Sequence, residues 1–269
     1  MGSSALQRLL ADPRASFEDV ALTIARDVDP QADVAAARAT LASLAEPLPD
    51  GLHRQLPALQ AEMLSDRLAV ERGFRGNEDD YYDPRNSDLT WVLTHKKGLP
   101  ITLAVLYVAV AQRAGLEAEG VGFPGHFLVR VGGPDGVYQD PFHEGRVLSE
   151  HDLGTLADHF LGGRDKLRPA HLRPVSPREL ALRMLANLQT AWATRGDGAR
   201  AMVAADHLVD LNGAPEHFRD RGLLALSLAA HEAAAEDFRR YLAARPDAED
   251  ALEVQAALAA AERHGATLN

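Results

Sequence analysis

The stretch Gly98–Ala104, with the sequence GLPITLA, decides how the fold of this chain is interpreted, together with two short motifs that follow it. These motifs are Pro124–Phe127 (PGHF) and Gln139–Pro141 (QDP). Proline at position 100 is typical of the first residue of a helix, where its missing N–H leaves no hydrogen bond unmade. The pattern predicts a helix from Pro100, then a strand with a histidine near its start, then a strand that ends in an aspartate. Thiol enzymes use this order, with a nucleophile at the helix start and a His–Asp pair that activates it.

The turn at residues 132–136 (GGPDG) sets the distance between the histidine and the aspartate. Its composition is typical of a hairpin turn. If Val131 pairs with Val137 across this turn, the alternation of side chains along a strand places His126 and Asp140 on the same face as diagonal neighbours. Diagonal neighbours lie roughly 7–8 Å apart at the backbone, so their side chains can meet. The register therefore predicts a His126–Asp140 contact.

The chain has 269 residues and no cysteine, so the predicted pair has no thiol nucleophile, and neither a disulfide nor a thiolate zinc site can form. The net charge is −11 and no basic stripe is present, which disfavours binding to nucleic acid or to anionic membranes. No apolar run reaches the length that a bilayer requires, and the opening residues lack the basic segment of a signal peptide. We expect a cytoplasmic protein that binds neither nucleic acid nor membranes and uses no cofactor.

The apolar periodicity divides the chain into three regions. Residues 1–75 are predicted to be helical, and Ser16 and Asp19 form a capping box that opens one of these helices. Residues 76–172 contain the buried helix and the strands. Residues 178–269 are predicted to be all helical, with a repeat near 34 residues that is typical of tetratricopeptide repeats. The predicted fold class is therefore α+β, with an N-terminal helical layer, a mixed core and a C-terminal repeat region.

Five motifs of this chain resemble those of a known family: Tyr82–Ser87, Lys97–Leu103, Gly120–Val121, Pro124–Arg130 and Asp140–Phe142. On these motifs the chain resembles the SirB-type proteins, in which a transglutaminase-like domain precedes tetratricopeptide repeats. The resemblance implies a papain-like, transglutaminase-like core. In active enzymes of that class the nucleophile follows a Gly-x-Cys pattern at the helix start, where this chain has Pro100 after Gly98 and Leu99. His126 and Asp140 match the other two positions of the triad.

Six further residues are candidates for binding in the same cleft: Asp83, Arg85, Asn86, Pro100, Thr102 and Gly125. The three loop residues among them could equally form an Asx turn and a salt bridge that lock the loop. Thr102 carries the hydroxyl nearest to the helix start. A threonine nucleophile that is not an N-terminal residue is unusual, so a role in the pocket wall is the favoured interpretation.

A metal site could be assembled from His126, Asp140 and His143. Their spacing fits no standard zinc motif. If the strand continues past Asp140, His143 points to the opposite face, because successive side chains alternate. We therefore predict no metal site.

Two functional hypotheses follow. The first is a non-catalytic binding or regulatory protein, which uses the cysteine-less cleft and a groove of the repeats to hold a peptide or protein partner. The alternative is a hydrolase or transferase in which His126 and Asp140 act on water or on a nucleophile that the substrate supplies. The missing cysteine favours the first hypothesis, because acyl transfer through a covalent intermediate needs a nucleophile on the enzyme.

Overall fold

The computed structural model describes residues 3–162 and 167–266. Contacts between residues divide the chain into two units, Met1–Met184 and Leu185–Asn269. The first unit contains the sheet and the two residues of the predicted pair. In the second unit, all the secondary structure of the described residues is helical.

Four helices precede the mixed part of the first unit: α1 (Ala5–Leu10), α2 (Phe17–Val28), α3 (Val34–Ala45) and α4 (Pro57–Ser65). The predicted capping box is confirmed, because the Ser16 hydroxyl accepts from the Asp19 N–H and the Asp19 carboxylate accepts from the Ser16 N–H. This satisfies two groups that a helix start leaves unpaired. A π-helical turn over Asp66–Val70 continues α4.

The buried centre of the first unit is helix α6 (Pro100–Arg113), which begins at the predicted proline. All twelve residues from Pro100 to Ala111 are buried. A helix that is apolar all round has no face suited to water, so other elements must surround it. Helices α2, α3 and α5 (Leu89–His95) pack against α6, as do strands of the sheet.

The sheet has four antiparallel strands in sequential order: β3 (Ala118–Val121), β4 (Leu128–Val131), β5 (Val137–Asp140) and β6 (Arg146–Leu148). Val131 pairs with Val137, which confirms the predicted register. Strand β6 and the short parallel pair of β1 (Arg75–Gly76) with β2 (Lys97–Gly98) are absent from the sequence prediction. These strands have only two or three residues, too few for an alternating pattern to be recognised.

The segment after residue 168 is partly tied to the sheet. The segment begins with a 3-10 turn over Pro169–Leu172, and Pro174 then forms an isolated bridge with Val121. The Val175 N–H donates to the carbonyl of Gly120 at 2.9 Å. These bonds cover part of the outer edge of β3, which would otherwise offer unpaired backbone groups.

The second unit holds the end of α8 (Pro177–Thr194) and four more helices: α9 (Gly198–Asn212), α10 (Pro215–Ser227), α11 (His231–Ala244) and α12 (Ala251–Ala266). Helices α10 and α11 approach closely at Gly222, where a Cβ atom would lie 2.7 Å from the Phe238 ring. The prediction that the C-terminal region is helical is confirmed. Its assignment as tetratricopeptide repeats stays a prediction.

Within the described part of the chain, no helix combines the length and apolarity needed to cross a bilayer.

Because the side chains of α6 are buried, truncating one of them should lower the free energy of unfolding substantially. Leu106 is fully buried, so we expect Leu106→Ala to lower the free energy of unfolding by about 2–5 kcal/mol through lost burial and a residual cavity. Leu56→Ala is the matched control, because Leu56 is 77% exposed and its loss should cost less than about 0.5 kcal/mol. Both variants are made in a Trp192→Phe background, so that Trp91, then the single tryptophan, reports urea unfolding of the first unit. Equal losses for both variants would contradict the buried position of α6.

Candidate functional site

The predicted contact between His126 and Asp140 is confirmed. Nε2 of His126 lies 2.8 Å from Oδ1 of Asp140, and both side chains are buried. Asp140 is the last residue of β5, as predicted. The prediction that His126 lies within a strand was wrong, because β4 begins at Leu128 and His126 lies in the turn before it. The His126 N–H donates to the Phe123 carbonyl at 3.0 Å, which holds the histidine in that turn. The hairpin thus carries both residues on one rigid element.

His143 completes the site, contrary to the prediction from strand alternation. Its Nδ1 lies 2.7 Å from Oδ2 of Asp140, so the expectation that it points to the opposite face was wrong. The strand ends at Asp140, and Pro141–His143 form a 3-10 turn. A turn with three residues per repeat brings residue i+3 back beside residue i, whereas a strand would not.

The Asp140 carboxylate is the acceptor at the centre of this site. Besides the two imidazoles, Oδ1 accepts the Phe142 N–H at 3.1 Å and the His143 N–H at 3.4 Å. Burial raises the pKa of Asp140, but the hydrogen bonds and charges of His126 and His143 outweigh it and hold this pKa below its ordinary value. Asp140 is therefore ionised at neutral pH and orients both rings.

Aromatic rings enclose His126. The Phe160 ring stacks on the His126 ring at a centroid distance of 5.8 Å and an angle of 14°, and the Phe142 ring meets it edge-on at 6.1 Å. Phe160 belongs to α7 (Glu150–Leu161). Gly125 is required here for two reasons: its φ is +69°, and a Cβ atom would lie 2.2 Å from the Phe160 ring. The structure thus places Gly125 in the wall beside the histidine.

Arg183 of α8 is a site residue that the sequence analysis missed. Its guanidinium donates to the carbonyls of His126 at 2.9 Å and of Phe123 at 3.4 Å, and it lies over the Phe127 ring. These bonds clamp the turn that carries the histidine. No sequence signal identifies this arginine, because it lies 57 residues from His126 on an ordinary helix.

The three predicted loop residues, Asp83, Arg85 and Asn86, mainly stabilise the structure of their own loop. The Asp83 carboxylate pairs with Arg85 at 2.7 Å. Asn86 is fully buried, and its side-chain amide donates to the backbone carbonyls of Asp80 and Tyr81. The backbone carbonyl of Asn86 accepts the Leu99 N–H just before α6. The loop is therefore locked to the start of α6, as the structural interpretation of these residues expects.

The loop reaches the His–Asp–His site through its aromatic residues. The Tyr81 ring meets the Phe142 ring edge-on at 5.9 Å, and Phe142 in turn contacts His126 and His143. Tyr82 follows and is 69% exposed. Tyr81 and Tyr82 thus lie at the rim.

Pro100 and Thr102 occupy the first turn of α6, and both are buried. Within the described residues, the Thr102 hydroxyl has no hydrogen-bond partner. The structure brings His126, Asp140 and His143 together, whereas no hydrogen bond joins Thr102 to them. The interpretation of Thr102 as part of a pocket wall stays a prediction.

A cleft of about 340 Å³ adjoins His143. Three of its seven lining residues are acidic and one is an arginine: Arg75, Gly76, Glu78, Asp79, Phe142, His143 and Glu144. The cleft gives solvent and small ions a path to the exposed side of the site.

A buried helix is followed by an antiparallel hairpin with a His–Asp pair, and the family comparison assigns this arrangement to a transglutaminase-like protein. The model described as the transglutaminase-like superfamily matches residues 34–186. A UPF0162 protein of Xylella fastidiosa is 38% identical over 232 residues, which cover 84% of this chain and 83% of that protein. The chain belongs to the UPF0162 family of transglutaminase-like proteins.

Two further relatives extend this comparison. A UPF0162 protein of Pseudomonas aeruginosa is 31% identical over 81% of this chain and 80% of its own length. F-box only protein 21 of the mouse is 32% identical over 132 residues, which cover 46% of this chain and 20% of that protein. No solved structure matches the chain. The comparisons carry neither the SirB-type name nor the tetratricopeptide repeats, so both stay predictions.

The low pKa of Asp140 predicts a pH-dependent contribution to stability. The pKa of Asp140 in the folded state lies below its unfolded value of about 4. The carboxylate therefore stabilises the fold fully above the unfolded pKa, and this stabilisation is lost as the pH falls through the folded pKa. The unfolding free energies of wild type and Asp140→Asn should therefore differ most at pH 7 and converge below about pH 4. Urea unfolding at several pH values measures the difference.

Asp135→Asn is the control for this measurement, because Asp135 is exposed in the hairpin turn. Its effect should stay within about 0.5 kcal/mol at every pH. A difference between wild type and Asp140→Asn that does not change with pH would show that the carboxylate charge contributes nothing to stability.

Proposed function

We propose that this chain is a non-catalytic binding protein, whose cysteine-less transglutaminase-like cleft holds a peptide segment of a protein partner. One observation carries the proposal: the buried His126–Asp140 pair is intact, yet the chain has no cysteine. Loss of one member of a catalytic triad leaves only a small residual activity. By the family resemblance, the nucleophile position corresponds to Pro100, which offers no reactive group.

Exposed aromatic side chains at the site support a binding role. Tyr81, Tyr82 and Phe160 are all exposed, although Tyr81 contacts Phe142 and Phe160 stacks on His126. Tyrosine and phenylalanine are enriched at protein interfaces, since they offer a large contact area at little cost in conformational entropy. The three side chains supply the apolar anchors that a peptide needs.

The charges of the cleft select the kind of peptide. Glu78, Asp79 and Glu144 line it against one arginine, Arg75, and Asp79 is paired with Lys97 at 2.5 Å. Glu78 and Glu144 remain to attract a positive charge. Electrostatic complementarity between partners favours association, so the partner segment is expected to carry lysine or arginine next to an apolar residue.

The C-terminal helices provide the second surface of this proposal. We assign residues 1–75 to a helical layer, residues 76–172 to the transglutaminase-like core and residues 178–269 to tetratricopeptide-like repeats, which hold peptides in grooves. The chain is also similar to F-box only protein 21. This similarity supports a role in protein interaction. A cytoplasmic location is part of the proposal.

A second candidate function is general-base catalysis by His126. Its Nε2 is bound to Asp140, and none of the described residues bonds its Nδ1. A histidine oriented in this way can take a proton from water or from a substrate hydroxyl. This is the observation that favours a hydrolase or transferase without a cysteine.

Selection of peptides against the purified chain tests the binding function. We expect selected peptides to be basic and apolar, and to bind in the micromolar range. Tyr82→Ala and Phe160→Ala should each weaken binding about tenfold, which corresponds to roughly 1.4 kcal/mol per anchor. Isothermal titration measures these affinities.

Val70→Ala is the matched control, because Val70 is as exposed as Tyr82 but lies on the π-helical turn. It should leave the affinity unchanged. Peptides that bind wild type, Tyr82→Ala and Phe160→Ala equally well would place the binding surface elsewhere and reject the proposal.

The same proposal predicts the absence of thiol-type catalysis. Wild-type protein should not incorporate amines into a glutamine substrate, and Pro100→Cys alone should not create efficient activity. Proline fixes its own backbone and lacks an N–H, so the donors that stabilise an oxyanion need not be in place around it. Robust amine incorporation by wild type, abolished in His126→Ala, would establish the enzymatic alternative instead.

A further inference from the structure

We propose that His126, Asp140 and His143 form a binding site for a divalent transition-metal ion, with Zn²⁺ as the reference ion. Their ligand atoms all lie within 4.8 Å of one another. The sequence predicts no metal here because His143 is expected on the opposite face. The 3-10 turn after Asp140 removes that objection. The inference does not depend on peptide binding, because the three ligand atoms belong to His126, Asp140 and His143.

The donor set suits a borderline metal ion. Two imidazole nitrogens and one carboxylate oxygen are the ligands of many catalytic zinc sites and of other open two-histidine, one-carboxylate sites. Hard ions such as Mg²⁺ and Ca²⁺ prefer sites made of oxygen atoms. The site should therefore take Zn²⁺ in preference to Mg²⁺.

The three ligand atoms must rearrange to receive the ion. The carboxylate now lies 2.8 Å from Nε2 of His126 and 2.7 Å from Nδ1 of His143, and the three ligand atoms lie within 4.8 Å of one another. Ligands about 2.0–2.1 Å from a tetrahedral ion are roughly 3.4 Å from one another, so each nitrogen must separate from the carboxylate by about 0.6 Å, while the two nitrogens approach each other by up to about 1.4 Å. The His143 side chain is 55% exposed and can make this shift.

Surrounding groups hold two of the three ligands in place. The backbone N–H of Phe142 donates to Oδ1 of Asp140, which orients the carboxylate. Arg183 and the stacked Phe160 ring hold the turn and the ring of His126. Such supporting contacts typically change metal affinity by about 10–100-fold, because they orient the ligands before the ion arrives.

The cleft beside His143 gives an ion a route from solvent. Three carboxylates, Glu78, Asp79 and Glu144, line it against the single positive charge of Arg75. A cation is therefore drawn towards His143, and its remaining coordination positions are available to water or to a bound group. Three protein ligands with an open position distinguish such a site from a closed structural zinc site.

Titration with metal tests the assignment on the full chain, after removal of any affinity tag and treatment with a chelator. Isothermal titration with ZnCl₂ at pH 7.5 should show one ion per chain. His143→Ala should weaken binding at least about tenfold, since it removes a ligand rather than a supporting contact. His151→Ala is the matched control: His151 is also exposed, lies on α7 and is outside the site, so binding should be unchanged.

Co²⁺ provides a second readout, because its visible absorption reports ligand number and geometry. Addition of Co²⁺ to wild type should change the visible absorption spectrum. This change should be absent in His143→Ala and Asp140→Asn. Circular dichroism of each variant shows whether it is folded, and His143→Ala decides the test if Asp140→Asn is unstable. Failure of wild type to bind Zn²⁺ at 100-fold molar excess overturns the proposal. Binding that survives His143→Ala, or is lost equally in His151→Ala, overturns it as well.

Discussion

The carboxylate of Asp140 is the acceptor on which the site depends. It binds two imidazoles and the N–H groups of Phe142 and His143, and these bonds end β5 and start the 3-10 turn. A buried carboxylate is costly unless such donors surround it. The residue that shapes the turn is therefore the same residue that orients His126. Local structure and site chemistry cannot be altered separately here.

Helix α6 supplies the rigid support for this arrangement. Its residues from Pro100 to Ala111 are all buried, and β4 and the 3-10 turn Pro141–His143 pack against it. Close packing gives each neighbour of α6 a single position, because voids and overlaps both cost free energy. Gly125 then allows Phe160 to lie against the His126 turn. The proposed peptide cleft and the proposed metal site share this support and the acidic residues Glu78 and Glu144, whereas the metal ligands are His126, Asp140 and His143.

Predictions from sequence succeeded where the determinants are local. The capping box at Ser16, the helix start at Pro100 and the Val131–Val137 pairing all follow from residues close to one another in the chain. The prediction for His143 failed because it extended a strand past Asp140, although the following Pro141 lacks the N–H that a strand ladder uses. Arg183 was beyond prediction, since its partners are distant in sequence.

The sequence by itself determined the succession of the buried helix and the hairpin, the hairpin register, the lack of a thiol and the pair His126–Asp140. Periodicity, turn chemistry and composition act over a few residues, so they can be recognised without a structure. Only the tertiary structure decided that His143 joins the pair, that Phe160 covers the histidine and that Arg183 clamps its turn. The physical reason is that these contacts depend on where a strand ends or on residues far apart in the chain, and no local pattern encodes either.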